Sequence, residues 1–412
     1  MRMPWWGYPA ILVTSVLSLV AVVTAMPGKS PNKNLVEHPV APATLPNGPE
    51  PLLTKVFVAI EQNQVDLALR QTEQLVATYP NFRLAHLIKG DLLLARTQPL
   101  TVFGQGGHDL VKNKVDDLRE EAIARLHGYR SKPSSELLPR YLLEMPPEQK
   151  YAIVVDAQRS RLYLYRNDQG IPNLAADYYI TQGKLGADKY REGDKRTPIG
   201  VYYVTSSLSP RKLGNFYGDG AFPLNYPNEW DKRQGRKGHG IWLHGTPPDT
   251  FSRPPKASDG CVVLANPDLT ELAKYLQIGL TPVIISEAVE WRSREDLRRE
   301  REALRTALES WRQDWESRDI DRYASHYSRK FLADNQSVDA WIAQKRMVNA
   351  EKTWIRVVTS DISLLLSPSK EDYAVVTFQQ NYQSSNSSSQ MRKRQYWIKE
   401  DGRWKIVAES AA

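Results

Sequence analysis

The sequence has one cysteine, Cys261, in 412 residues, so a disulfide within the chain is excluded. It also lacks a strong charge of one sign. Lys and Arg number 55 and Asp and Glu 47, a net charge of +8 that is spread along the chain. That suits an acidic matrix or an anionic membrane surface and argues against a nucleic-acid partner. Hydrophobic residues at 41% and charged residues at 25% exclude wholesale disorder, a collagen-like fibre and a polytopic membrane protein. At roughly 150 residues per domain, the length suggests about three domains.

One uncharged, mostly apolar run is present, Ala10 to Met26, with Arg2 ahead of it. Its length, with Thr24 and Ala25 near its end, fits a cleaved signal peptide. Trp5, Trp6 and Tyr8 at a membrane interface would instead fit an uncleaved anchor. Both readings export the protein, which places it in the periplasm with inner-membrane association in the second case. Seven prolines between Pro27 and Pro51 mark residues 27–51 as a linker.

Three architectures follow. Residues 52–149 form an α-helical module: Leu53, Phe57 and Ile60, then Val65, Leu69 and Val76, then Ala85, Ile88 and Leu92 recur at helical spacing. The pattern resembles a degenerate tetratricopeptide pair, too short to stack as a solenoid, and suits packing or homodimerisation. The stretch Gly104–Gly107 follows no strand and reads as a turn rather than a phosphate loop. Residues 150–287 are mostly β, opening with the hairpin YAIVVD–AQRS–RLYLYR, in which Leu162 and Leu164 share one face and Tyr163 and Tyr165 the other. One helix, Asp268 to Leu276, interrupts these strands. Residues 292–412 start with a long amphipathic helix striped by Leu297, Leu304, Leu308, Trp311 and Trp315, then a helix over 338–350 and four strands. Between those strands SSNSSSQ is expected as a loop and Asp401-Gly402 as a hairpin turn. Helices followed by a curved antiparallel sheet indicate an α+β domain.

The chemistry lies around the single thiol. A thiol nucleophile needs a base, a group that orients the base, and donors for an oxyanion. His244 ends a strand and can take the thiol proton. Ser258-Asp259-Gly260-Cys261 is a tight turn before the apolar strand VVL, and the amides of Gly260 and Cys261 are candidate oxyanion donors. A thiolate–imidazolium pair would keep the sulfur reactive at neutral pH. Singly these residues have bland readings, a structural histidine and a glycine turn. Together, in an exported chain with one cysteine, they point to catalysis. Trp242, His239, Ser258 and Asp259 are the candidate substrate-binding residues. A metal site is not expected, because His239 and His244 lie five apart, on opposite faces of a strand, without a third ligand at the usual spacing. Arg211 to Arg236 has the length and Gly/Pro content of a loop able to cover the site.

The stretches Gly193-Asp194-Lys195-Arg196-Thr197-Pro198-Ile199-Gly200-Val201-Tyr202, Gly240-Ile241-Trp242-Leu243-His244-Gly245-Thr246 and Ser258-Asp259-Gly260-Cys261-Val262 resemble the YkuD family of L,D-transpeptidases. The resemblance implies a β-sandwich-like catalytic domain acting on peptidoglycan stem peptides. It makes Cys261 the nucleophile and His244 the base, with the Gly245 carbonyl orienting the imidazole and Gly260 supporting the oxyanion hole. No cofactor is implied. The cysteine would attack the carbonyl after the L-centre of meso-diaminopimelate and expel D-alanine. An amine acceptor would make the protein a transpeptidase, water an L,D-carboxypeptidase; a non-catalytic wall-binding scaffold is the rival from another class. Many members carry Arg two residues after the cysteine, where Val263 stands here, so Arg253, Lys256, Lys195 or Arg196 are candidates for a substrate carboxylate. The C-terminal region, through Trp311, Trp315, Asp319, Tyr323, Tyr327 and Phe331, resembles the nuclear transport factor-like cone. That combination is similar to cell-shape L,D-carboxypeptidases of curved and helical Gram-negative bacteria.

Overall fold

A computed structural model describes residues 48–107, 112–333 and 336–412, so the apolar run at 10–26 and most of the linker lie outside the described residues. No described helix is long and apolar enough to cross a membrane. The chain divides into two compact units.

The first unit holds the described residues up to Lys132 together with Thr246–Pro255. Its helices are α1 (Pro49–Glu61), α2 (Val65–Thr78), α3 (Arg83–Ala95) and α4 (Lys112–Arg130). The first begins inside the expected linker, because proline is tolerated in the first helical turn, where its missing N–H has no partner to lose. Leu53, Val56, Leu75, Phe82, Ala85 and Ile88 are buried and form the core. The glycine stretch is a structural turn: Asp91 accepts the amides of Gly104 at 2.6 Å and Gly106 at 2.7 Å. The segment Thr246–Pro255 is held here by Phe251, whose ring lies 4.2 Å from that of Phe82 and 5.2 Å from that of Tyr79. Ser252 Oγ donates to Glu121 at 2.7 Å, and Asn81 Nδ2 donates to the Pro248 carbonyl at 3.0 Å. The compact units thus group Thr246–Pro255 with the helices, and residues 133–149 with the strands that follow them.

The second unit comprises Pro133–Gly245 and Lys256–Ala412. Its short first strands, β1 (Leu137–Pro139) and β2 (Leu142–Glu144), belong to sheets completed much later in the chain. Strands β3 (Tyr151–Asp156), β4 (Arg161–Asp168) and β5 (Ile171–Tyr179) are followed by β6 (Gln182–Gly183), β7 (Gly200–Tyr203), β8 (Ala221–Pro223), β9 (Trp242–His244), β10 (Lys256–Ser258), β11 (Val262–Val263), β12 (Pro282–Ser286) and β13 (Trp291–Ser293). A five-stranded sheet runs β5-β4-β3-β12-β7, a three-stranded one β11-β9-β8, and β6 pairs with β10.

The five-stranded sheet is buried on both faces, which explains its near-continuous apolar strands. Ile153, Val155, Leu162, Leu164, Val283 and Ile285 pack with Leu243, Val262 and Leu264 of the smaller sheet. Val154, Tyr163, Tyr165 and Ile284 point the other way, into the C-terminal core. The split of Leu162/Leu164 from Tyr163/Tyr165 is the alternation expected of the hairpin. The helix predicted over 268–276 spans Asn266–Ala273.

The C-terminal part opens with a helix, Arg294–Glu316, capped by Ser293 Oγ accepting the Asp296 amide at 3.2 Å. All five predicted stripe residues are buried. The helix over 338–350 is present. Four long antiparallel strands follow, 355–366, 373–384, 387–400 and 403–411, with β2 completing the sheet beside the first. The serine tract is a correction: only Ser385 and Asn386 turn, while Ser387, Ser388 and Ser389 pair with Ser384, Gln383 and Tyr382. The backbone ladder overrides the polar composition there. Asp401 and Gly402 both have positive φ, 53° and 74°, as a tight hairpin turn requires.

Candidate active site

The motif stretches converge on β9 and β11. These strands are parallel, with Leu243 opposite Val262 and His244 opposite Val263. The ladder continues through the Leu264 amide, which donates to the His244 carbonyl at 2.9 Å. Cys261 immediately precedes β11 and shares the alternation of Val263, so its side chain leaves on the same face as that of His244. The pairing of these two short strands thus sets Cys261 two residues before Val263, the residue opposite His244.

His244 is buried and Cys261 is partly exposed. His244 Nδ1 lies 2.7 Å from the Gly245 carbonyl oxygen. A carbonyl only accepts, so Nδ1 carries the ring proton and Nε2 of the neutral ring keeps its lone pair. A side chain at Gly245 would crowd its surroundings and require Asn266 to move. A Cβ there would stand 2.1 Å from Asn266 Oδ1 and 3.2 Å from the Tyr217 carbonyl. The Gly245 amide donates to that same carbonyl at 3.1 Å.

The turn before Cys261 is fixed by hydrogen bonds and by sterics. Cys261 Sγ lies 3.3 Å from the Gly240 carbonyl. Ser258 Oγ donates to the Cys261 carbonyl at 2.6 Å and accepts the Gly260 amide at 3.1 Å. The Gly260 amide is therefore engaged inside the turn, not presented to a substrate. Gly260 has φ +130°, and a Cβ there would stand 2.8 Å from the Arg196 carbonyl, so the position excludes side chains on two counts. Thr197 Oγ1 donates to the Gly260 carbonyl at 3.0 Å, tying the GDKRTP stretch to the nucleophile turn.

Asp194 organises that stretch. Burial pushes its carboxyl up, but hydrogen bonds from Lys189 Nζ and the amides of Arg191, Tyr190 and Arg196 together outweigh burial and hold it down at about 2.

The remaining candidates divide. Trp242 lies on β9 with its ring 4.9 Å from that of Tyr217. Asp259 is exposed and pairs with Lys184 at 3.1 Å. His239 is an exposed residue 3.6 Å from Glu192, so it is neither a core histidine nor a neighbour of the histidine base by strand register. Of the expected carboxylate-binding candidates, Arg196 donates to the Ala187 carbonyl at 2.9 Å and Arg253 belongs to the helical unit. Val263 is buried and bridges Thr181 through two backbone hydrogen bonds of 2.9 Å. Among the described residues no cluster of His, Cys, Asp and Glu could hold a metal ion.

Sequence reasoning missed Phe216 and Tyr217. Both lie in the 211–236 loop, with ring centroids 6.0 Å and 5.2 Å from the His244 ring. The adjacent aromatic pair, Phe216-Tyr217, was the available signal.

A buried imidazole with its proton direction fixed thus stands on the strand that pairs with the one following a more exposed thiol. Two family models match the chain: an L,D-transpeptidase (YkuD) catalytic domain over residues 150–285 and the Cds6 C-terminal NTF2-like domain over 303–410. Among solved structures, Bd1075 of Bdellovibrio bacteriovorus is 32% identical, covers 67% of this chain and 98% of its own, and superposes with a TM-score of 0.60. The helical cell shape determining protein Pgp2 of Campylobacter jejuni is 26% identical, with 66% and 95% coverage and a TM-score of 0.57. No curated protein matches the chain. The chain belongs to the YkuD L,D-transpeptidase family, in the form that carries a C-terminal NTF2-like domain.

Proposed function

We propose that the protein is a peptidoglycan L,D-transpeptidase that acts on tetrapeptide stems through Cys261. The observation that carries this reading is the shared face of Cys261 and His244, with His244 Nδ1 committed to Gly245. His244 Nε2 removes the Sγ proton. The thiolate attacks the carbonyl carbon at the L-centre of diaminopimelate, the amide bond to D-alanine breaks, and the proton passes to the leaving amine. The thioester is then attacked by an amine acceptor, whose proton returns through His244, and the thiol is restored. With Gly260 N–H bound to Ser258, the Cys261 amide is the oxyanion donor in this scheme. The export expected from the N-terminal run would place the reaction in the periplasm.

Water as acceptor, giving an L,D-carboxypeptidase, is the second reading. It is favoured by the buried Val263, which supplies no charge opposite His244, and by the likeness to a helical cell shape determining protein. Mass spectrometry of disaccharide tetrapeptide incubated with the protein, with and without a free D-amino acid, separates them. Exchanged or cross-linked product absent with Cys261→Ala supports the transpeptidase. Tripeptide alone supports the carboxypeptidase. Unchanged substrate with a folded protein removes both and leaves a wall-binding scaffold.

A further inference from the structure

Thr197 stands in the GDKRTP stretch and is fully buried, and the reaction scheme above gives it no part. Its hydroxyl has two partners. The Gly183 amide lies 2.9 Å away and the Gly260 carbonyl 3.0 Å away. An amide N–H only donates and a carbonyl only accepts. Oγ1 therefore accepts from Gly183 and gives its one proton to Gly260.

The hydroxyl is itself held in place. The Thr197 amide donates to the Gly186 carbonyl at 3.0 Å, and Pro198 biases Thr197 towards extended backbone. The chain passes so close to Gly183 that a Cβ there would stand 2.9 Å from both the Arg196 Cα and the Thr197 nitrogen. Gly183 belongs to β6, which pairs with Ser258, and the Lys184 amide donates to the Ser258 carbonyl at 2.8 Å. Thr197 is thus braced against the strand that holds the start of the nucleophile turn, while its hydroxyl holds the end.

What the hydroxyl holds is the peptide between Gly260 and Cys261. A trans peptide is planar, with its C=O and N–H pointing in opposite directions. A bond that pins the Gly260 oxygen therefore also sets the direction of the Cys261 N–H, the oxyanion donor of the scheme above. Ser258 Oγ holds the two flanking peptides, through the Gly260 amide at 3.1 Å and the Cys261 carbonyl at 2.6 Å. Neither of those bonds touches the 260–261 peptide itself; the Thr197 bond does. Gly260 has no Cβ to restrict that peptide's rotation, so a fixed plane there needs an outside anchor.

We propose that Thr197 is a positioning residue for acyl transfer: its hydroxyl sets the plane of the Gly260–Cys261 peptide and so aims the Cys261 N–H at the oxyanion. It touches no reacting atom. The inference rests on the acyl-transfer reading above, but not on the identity of the acyl donor.

The test compares two reagents on the one thiol of the full chain, with Cys261→Ala as the blank. With p-nitrophenyl acetate, Sγ bonds the acetyl carbon through a tetrahedral oxyanion and p-nitrophenolate leaves. Iodoacetamide alkylates the thiolate with no oxyanion formed. Thr197→Val keeps the side chain's shape and removes the hydroxyl. It is expected to slow acylation at least about tenfold, part of the about 10²–10³-fold that loss of an oxyanion donor costs, and to leave alkylation within about twofold of wild type. Thr197→Ser, which keeps the hydroxyl, is expected to restore acylation. Thr197→Ala adds no atom to the buried site and is expected to repeat the valine result, whether or not the valine variant folds. Acylation and alkylation slowed alike would make Thr197 a support of the thiol or of the fold and overturn the proposal. Unchanged acylation in the hydroxyl-free variants, no rescue by Thr197→Ser, or a wild-type thiol that p-nitrophenyl acetate does not acylate would overturn it equally. Wild-type protein that reacts with p-nitrophenyl acetate but not with disaccharide tetrapeptide would remove the stem-peptide reading, while the variants still decide this one.

Discussion

His244 Nδ1 is held 2.7 Å from the carbonyl oxygen of Gly245, the next residue in the chain. The imidazole is therefore oriented by the backbone carbonyl of its neighbour. The arrangement survives only if Gly245 keeps its conformation, which is secured by the 3.1 Å bond from its amide to the Tyr217 carbonyl.

Gly245→Ala should cripple turnover. Its Cβ would stand 2.1 Å from Asn266 Oδ1, so either Asn266 or the 244–245 backbone must shift. A displacement near 1 Å at a catalytic base costs about 10²-fold in rate. Steady-state kinetics on disaccharide tetrapeptide should show that loss in kcat with KM little changed. An unaltered kcat would separate the carbonyl from the base's orientation.

Tyr217→Ala should lower kcat/KM by about tenfold while leaving the melting temperature nearly unchanged. The Tyr217 ring meets His244 edge-on at 5.2 Å and Trp242 at 4.9 Å, yet it lies on a partly exposed loop. Paired kinetics and thermal melts test this; a large melting shift would make the residue a core element instead.

Asp194 should dominate acid sensitivity near the nucleophile turn. Its folded value of about 2 lies below the usual 3.8. Its contribution is complete above about pH 4 and is lost as pH falls through about 2. At 1.36 kcal/mol per unit that is about 2 kcal/mol. Asp194→Asn should be destabilised by about that amount at pH 7 and match the wild type near pH 2, as urea unfolding at the two pH values would show.

Phe251→Ala should loosen the helical unit. The ring is buried against Phe82 and Tyr79, and deletion of a buried phenylalanine costs about 3–5 kcal/mol. Hydrogen exchange should show lost protection in 49–95 and 246–255, with strands 151–179 unchanged. Uniform loss across the chain would contradict the two-unit division.

Much of this was legible in the sequence for identifiable reasons. Cys261 and His244 stand in compact motifs whose neighbours, Gly260 and Gly245, are fixed by sterics. The five-residue stripe from Leu297 to Trp315 is buried as its spacing demands. Other features had no local signal. Leu142–Glu144 is too short for a period and pairs with Leu364 and Leu365 at the far end of the chain. Thr246–Pro255 has no periodicity, and it joins the helical unit through Phe251 and through hydrogen bonds at Pro248 and Ser252. The Gly260 amide looked available as an oxyanion donor because sequence could not show that Ser258 Oγ accepts it.

The most direct test of the central claim is the intact mass of the protein after brief incubation with disaccharide tetrapeptide and an acid quench. The account predicts an adduct equal to the substrate less D-alanine, located on Cys261 by peptide mapping, absent in Cys261→Ala and strongly reduced in His244→Ala. Undiminished D-alanine release by Cys261→Ala, or an adduct on another residue, would contradict it.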